Sequence, residues 1–380
     1  MLRLKNSRGL FFAETREPQK SYWAHPSMVK LFEEAREKDG KEDGVIEIPS
    51  EYLNWDPSAQ DSRSNCPILH ETMKMLIELS SPKWRARANN IYAGRTYSNE
   101  NMAASLTNLR GGMIAISHEY TSVLSAYAAM YGKFIYGLDY AKTITEEESR
   151  QLWTGMRNHF DKSIEEFKKG GLLALKGNPL MAFPDERYGE GFQGALFTAE
   201  TWTVAHEFSH HMVRDVSTRR DREVVSILRD LTANSSVGQE IRAMTADHRD
   251  EINADLLATL IMSGHFTDAR KPMHIPSAIS GAVLSLITIA HFREEWTSDR
   301  EDTHPGCFDR IRILLTIICE CFGKESAYPD DPERSHMLVR RMAGILITYA
   351  HWARGSIEMD TLSIYFSLAD NSVKFDFLED

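Results

Sequence analysis

Along most of the chain, apolar residues recur three and four positions apart, the spacing of one helix face. Ser27 is placed to cap a short helix that ends at Gly40. Residues Gly44 to Pro49 alternate weakly and read as one strand. The stretch from Gly111 to Tyr136, rich in Ala, Met, Leu and Tyr, reads as helix. Thr145 followed by Glu146, Glu147 and Glu148 is an acid-rich helix start. That helix is expected to run to the stop signal Lys168-Lys169-Gly170-Gly171. Beyond it, LLALKGNPLMAF supplies one or two strands, and Gly189, Gly191 and Gly194 form a flexible segment. Five helices are expected from Thr198 onward. The fold class is therefore an α-rich α+β protein, with a helical region 1–170 and a core 171–380 that holds a small sheet.

Composition adds limits. The 380 residues are 42% hydrophobic and 26% charged, values of an ordinary globular chain with a sizeable core. The formal charge of −11 argues against a nucleic-acid partner, which calls for a basic face. The apolar stretch Leu10 to Ala13 is too short for a secretory signal, and the uncharged run Ile275 to Ala290 falls short of the ~20 residues of a membrane span. A cytoplasmic protein with no membrane span is the expectation; oligomeric state is left open. Cys66, Cys307, Cys319 and Cys321 form no C-x-x-C pair and read as free thiols.

The chemistry concentrates in TAETWTVAHEFSHHMVR, residues 198–214. Thr198 is placed as an N-cap with Glu200 in the first turn. On a helical wheel Val204, Ala205, Phe208 and Met212 share one side, while Thr203, His206, Glu207 and His210 share the other. His206 and His210 stack one turn apart and can hold one metal ion, with Glu207 beside them as general base. The plain alternative is a surface helix with solvated histidines. Val216 stands where a metzincin carries its third histidine, which excludes that pattern.

A third ligand must come from elsewhere. Ser236 and Gln239 suggest a capping box for a helix that runs to Gly264. On it His248, Glu251 and Asp255 fall within about 60° of one another. Glu251 can complete a His-His-Glu set, and Asp255 can orient a ligand histidine through its second ring nitrogen. His248 is an alternative ligand or a near neighbour. An ordinary solvated Glu-Asp pair is the plain reading. His211 reads as structural or exposed, and His118 as a core residue.

Together HEFSH at 206–210 and EINAD at 251–255 resemble the gluzincin group of zinc peptidases. Thr303-His304-Pro305 with Arg310-Ile311 is similar to a segment of the HtpX and CAAX-protease branch, ADLLATLIM to the ImmA/IrrE regulatory peptidases, and the phage-exclusion peptidase Lit is another soluble relative of this kind. The resemblance spans about Thr198 to Phe322. It implies a zincin-like core with one zinc per chain held by His206, His210 and Glu251, and with Glu207 as base and Asp255 behind a ligand. It also implies His304 or Arg310 near the substrate, and a protein or peptide as substrate. Alternatively, Thr303 caps a helix begun by Pro305, and Arg310 pairs with an acid.

Two other classes stay open. Glu207-x-x-His210 and Glu333-x-x-His336 match the paired Glu-x-x-His of carboxylate-bridged di-iron bundles, although Asp331-Pro332 sets the second copy in a first turn. A non-catalytic interaction protein could also keep zinc for folding or sensing.

Overall fold

The computed structural model describes residues 7–17, most of 21–33, 65–97, 103–108, 111–170, 186–213, 222–267, 274–293, 304–321 and 332–355. Both ends of the 27–40 helix, the 44–49 strand and the strands expected in 172–183 lie outside these residues. Helices α1 (Ser7–Thr15), α2 (Pro67–Leu79) and α3 (Arg85–Ala88) precede strands β1 (Ile91–Thr96), β2 (Ala103–Asn108) and β3 (Gly111–Ser117). Helices α4 (His118–Tyr140), α5 (Glu146–Gly170), α6 (Glu186–Val213), α7 (Arg222–Ala233), α8 (Gly238–Ala243), α9 (Ala246–Met262), α10 (His274–Arg293), α11 (Cys307–Cys321) and α12 (Pro332–Arg354) follow. The class is helix-rich with one small sheet, as expected. Seven helices rather than five follow position 186 among the described residues.

The sheet corrects the sequence reading. Its strands come from 91–117, inside the region expected to be helical, and Gly111–Ser117 is strand rather than the start of a helix. The run GGMIAIS is short and apolar, and periodicity alone does not separate a buried strand from a helix segment. The strand order is β1-β3-β2. β1 runs parallel to β3, with Ile91 opposite Gly112, and β2 runs antiparallel to it, with Ala103 opposite Ile116. Side chains close the outer edge of β1. The Asn65 amide donates to the Arg95 carbonyl at 2.8 Å and accepts the Arg95 N–H at 3.0 Å, as a neighbouring strand would. Glu17 accepts the Tyr97 N–H at 2.6 Å. Among the described residues no strand pairs with the outer side of β2.

Local chemistry fixes several helix ends. Ser117 ends β3 and caps α4 by accepting the Tyr120 N–H. Thr145 and Glu148 form a reciprocal capping box at the start of α5, which ends at Gly170 as expected. Gly264, at φ 72°, terminates α9, with the His265 N–H bonded to the Leu260 carbonyl. The beginning of that helix differs from the reading. Thr245 caps α9 by accepting the His248 N–H, whereas Ser236 bonds Glu320 at 2.9 and 2.7 Å.

α6 is the central element, packed against α4, α9, α10 and β2. It begins at Glu186 and passes through Gly189, Gly191 and Gly194, so the segment expected to be flexible is helical. Thr198 lies inside it and donates to the Gly194 carbonyl instead of capping. Packing outweighs the low helix propensity of those glycines. On α10, Gly281 permits close approach: a Cβ there would lie 2.6 Å from the Thr198 carbonyl oxygen. The apolar run Ile275 to Ala290 lies within α10 and is nearly all buried. Among the described residues no helix is long and apolar enough to cross a membrane. One cluster of buried side chains extends from Tyr22 to Ala353 with no break at position 170.

Candidate metal centre

The final two turns of α6 present His206, Glu207 and His210, and α9 crosses beside them with Glu251 and Asp255. Both sides of α6 are buried there. Val204, Ala205, Phe208 and Met212 are fully enclosed, but Thr203, His206 and Glu207 are buried as well. The solvated-histidine reading of this helix therefore fails.

His206, His210 and Glu251 bring one donor atom each into a group that could hold a metal ion. The two Nε2 atoms lie 3.1 Å apart, Glu251 Oε2 is 3.4 Å from His206 Nε2, and Glu251 Oε1 is 3.3 Å from His210 Nε2. A tetrahedral ion with bonds of ~2.0–2.2 Å separates its ligands by about 3.3–3.5 Å. The observed spacings lie near that value. Two imidazole nitrogens facing each other repel through their lone pairs unless a proton or a cation lies between them. Glu251 Oε2 is buried and accepts no hydrogen bond of good geometry. A buried carboxylate oxygen left this way is costly, and a cation removes the cost.

The surrounding groups orient this set. His206 Nδ1 lies 2.8 Å from Asp255 Oδ1, at hydrogen-bonding distance but off the line of the ring N–H. Arg310, in the first turn of α11, donates to both oxygens of Asp255 at 2.8 and 2.7 Å, and its Nη2 reaches Glu251 at 3.6 Å. This bidentate pair is fully buried. Arg310 therefore pairs with an acid, the alternative that the sequence left open. His304 stands at the rim, 59% exposed, with Nε2 3.6 Å from Glu251 Oε1. His248 belongs to the first turn of α9, outside the His206-His210-Glu251 group.

Electrostatics follow from these contacts. Burial opposes charge on His206, but Asp255 and Glu251 outweigh it and lift its pKa to about 10. Burial would raise Glu251 and Asp255, yet His206 and Arg310 hold both below the usual carboxylate range. Asp255 and Glu251 likewise raise the Arg310 guanidinium against its own burial. Burial raises Glu207, whose carboxylate faces the Ser105 hydroxyl on β2. The pocket thus favours positive charge, which a proton or a bound metal ion could supply.

Other expected residues have structural roles. His211 is buried, its Nε2 3.1 Å from the Met113 carbonyl of β3. His118 opens α4 and bonds Tyr22 through Nδ1, with its pKa lowered to about 4 by burial. Glu200 does not serve a helix start: it sits mid-helix, 2.7 Å from Arg95 Nη1 and 2.5 Å from Thr121 Oγ1. Glu333 is exposed in the first turn of α12, the position expected from the sequence for the second Glu-x-x-His copy. The four cysteines are free. The sequence reading missed Arg95, Ser105, Trp202 and Thr259. Only Glu200, two turns before Glu207 on one face, hinted at a buried partner.

Comparison with protein-family models, curated proteins and solved structures found no match. The gluzincin resemblance rests on the motif residues of the sequence alone.

Proposed function

We propose that the protein is a zinc-dependent metalloendopeptidase that hydrolyses peptide bonds of a cytosolic protein. The convergence of His206 Nε2, His210 Nε2 and a Glu251 oxygen beside the buried carboxylate of Glu207 carries this reading. Three protein donors, one fewer than a closed structural zinc site uses, is the donor number of a catalytic zinc site. A zinc ion bound there would polarise the scissile carbonyl and make water acidic enough to ionise near neutral pH. Glu207 accepts a proton from the attacking water at a carboxylate oxygen and passes it to the leaving amine. Its upward pKa shift strengthens it as a base. His304, at the exposed rim, donates toward the oxygen that gains negative charge. Arg310 and Asp255 keep His206 in place. The outer side of β2, unpaired among the described residues and with Ser105 facing Glu207, offers an extended substrate a strand to pair with.

Replacement Glu207→Gln keeps the shape and every metal donor. Hydrolysis is expected to fall by about 10²–10⁴-fold with zinc binding unchanged. Sequencing protein N-termini in cells that carry either form checks this. New termini with the wild type alone would name the substrate. Equal sets of termini from the two forms, with zinc bound in both, would overturn the peptidase reading.

A further inference from the structure

Two turns of α6 and α9 outside the donor set are pinned to each other by a residue with no part in the motif. The indole of Trp202, one turn before His206, lies over the His206 ring with centroids 5.5 Å apart and an interplanar angle of 27°. Its Nε1 donates to Thr259 Oγ1 at 3.0 Å. Thr259 lies one turn beyond Asp255 and donates to the Asp255 carbonyl at 2.9 Å. Trp202 and Thr259 are both buried.

We infer that Trp202 is a positioning residue for the metal centre, holding the His206 ring by its face while Thr259 fixes the offset between α6 and α9. An imidazole can rotate about its χ2 torsion, which is broad in energy. Asp255 restrains one edge of the ring, and a stacked indole restrains the remaining tilt. The Trp202–Thr259 bond ties that indole to the helix that carries Glu251 and Asp255, so the donors of the two helices share one frame. Burial of the indole N–H makes the arrangement specific, because a buried donor without an acceptor is costly. A residue that only filled space would be replaceable by any apolar side chain of similar size.

This inference rests on the metal-centre reading, and its test uses zinc alone. Zinc affinity is measured by competition with a chromophoric chelator for the wild type, Trp202→Leu, Trp202→Phe and Thr259→Val. Intrinsic fluorescence during zinc addition and thermal unfolding with chelator and with zinc are followed in parallel. Trp202→Leu is expected to weaken zinc binding by about 10–100-fold, the usual effect of losing a group that orients a ligand. Trp202→Phe keeps a ring face and loses the donor, so its loss is smaller than that of Trp202→Leu. The zinc-dependent change in fluorescence is expected to shrink in both Trp202 variants and to remain in Thr259→Val. A purely structural tryptophan would lower Tm by the same amount with and without zinc; here the rise in Tm caused by zinc shrinks as well. If Trp202→Leu does not fold, the Phe and Val variants decide. Wild-type zinc affinity in a folded Trp202→Leu, or in both milder variants, overturns the positioning role alone. No zinc binding by the wild type overturns the metal-centre reading along with it.

Discussion

Two buried charge clusters lie along α6, two turns apart, and they are built on opposite principles. At Glu200, one carboxylate meets one guanidinium: Arg95 lies at 2.7 Å, and Thr121 donates to the same oxygen. Asn65 clamps the Arg95 backbone from the other side. Charges match and the groups satisfy one another. At His206, Glu207 and His210 the donors outnumber their partners. Two ring nitrogens face each other, and Glu251 Oε2 accepts no hydrogen bond of good geometry. Burial of charge is common to both, so burial does not mark a site. What sets the second cluster apart is a set of buried lone pairs that a cation could complete.

The largest effect expected from this contrast is on stability. Arg95→Met strands Glu200 in the interior and is expected to cost about 3–5 kcal/mol, the usual cost of breaking a buried pair. Replacing both Arg95 and Glu200 by Met recovers most of it. The cost should be equal with zinc and with chelator. Denaturant unfolding under both conditions measures it, and a cost that depends on zinc would join the two clusters into one.

The second cluster responds in the opposite way. Zinc at about 100 times its Kd adds about 2.7 kcal/mol to wild-type stability and the same increment to Arg95→Met, but none to Glu251→Ala. A smaller effect separates the ligand from its support. Asp255→Asn keeps the shape and removes the charge behind His206, so zinc affinity falls by about 10–100-fold. Glu200→Gln should leave zinc affinity unchanged. Chelator competition on the wild type, Asp255→Asn and Glu200→Gln decides, and an Asp255→Asn protein of wild-type affinity would detach Asp255 from the metal centre.

The open cluster was more legible in the sequence than the closed one. His206 and His210 stack because helical spacing is local, and Glu251 with Asp255 repeats that logic on a second helix. The ion pair Arg95–Glu200 joins a strand to a distant helix, and no local period announces it. β3 was misread for a related reason: its apolar run becomes a strand through its pairing with β1 and β2. The glycines before Thr198 read as loop because propensity is a weak prior, and contacts with α10 and α4 override it. Arg310 was legible as a residue, with its pairing to an acid one of two readings, but the acid itself was not. Its position follows from spacing, but its partner is set by how α11 meets α9.

The smallest expected effect is a difference of slope, and it tests the contrast by pH. His118, beside the closed cluster, has its pKa lowered to about 4 by burial. Its contribution to stability is present above the unfolded value of ~6.5 and is lost as pH falls toward 4. His206, in the open cluster, is raised to about 10 despite burial. Its contribution is present below ~6.5 and is lost as pH rises toward 10. Glu207, also raised, begins to lose its contribution as pH rises above the free carboxylate value of ~4.3, and so partly offsets the His118 limb. Metal-free protein should therefore be most stable near pH 6.5, with each group contributing about 1.4 kcal/mol per pH unit to its own limb. Zinc displaces the proton from His206 and should flatten the alkaline limb. His118→Gln should reduce the acid limb by that single-proton slope and leave the alkaline limb alone. Unfolding free energies from pH 4 to 10, with and without zinc, give both slopes. An alkaline limb that zinc leaves unchanged would mean that His206 keeps its proton and that the cation binds elsewhere.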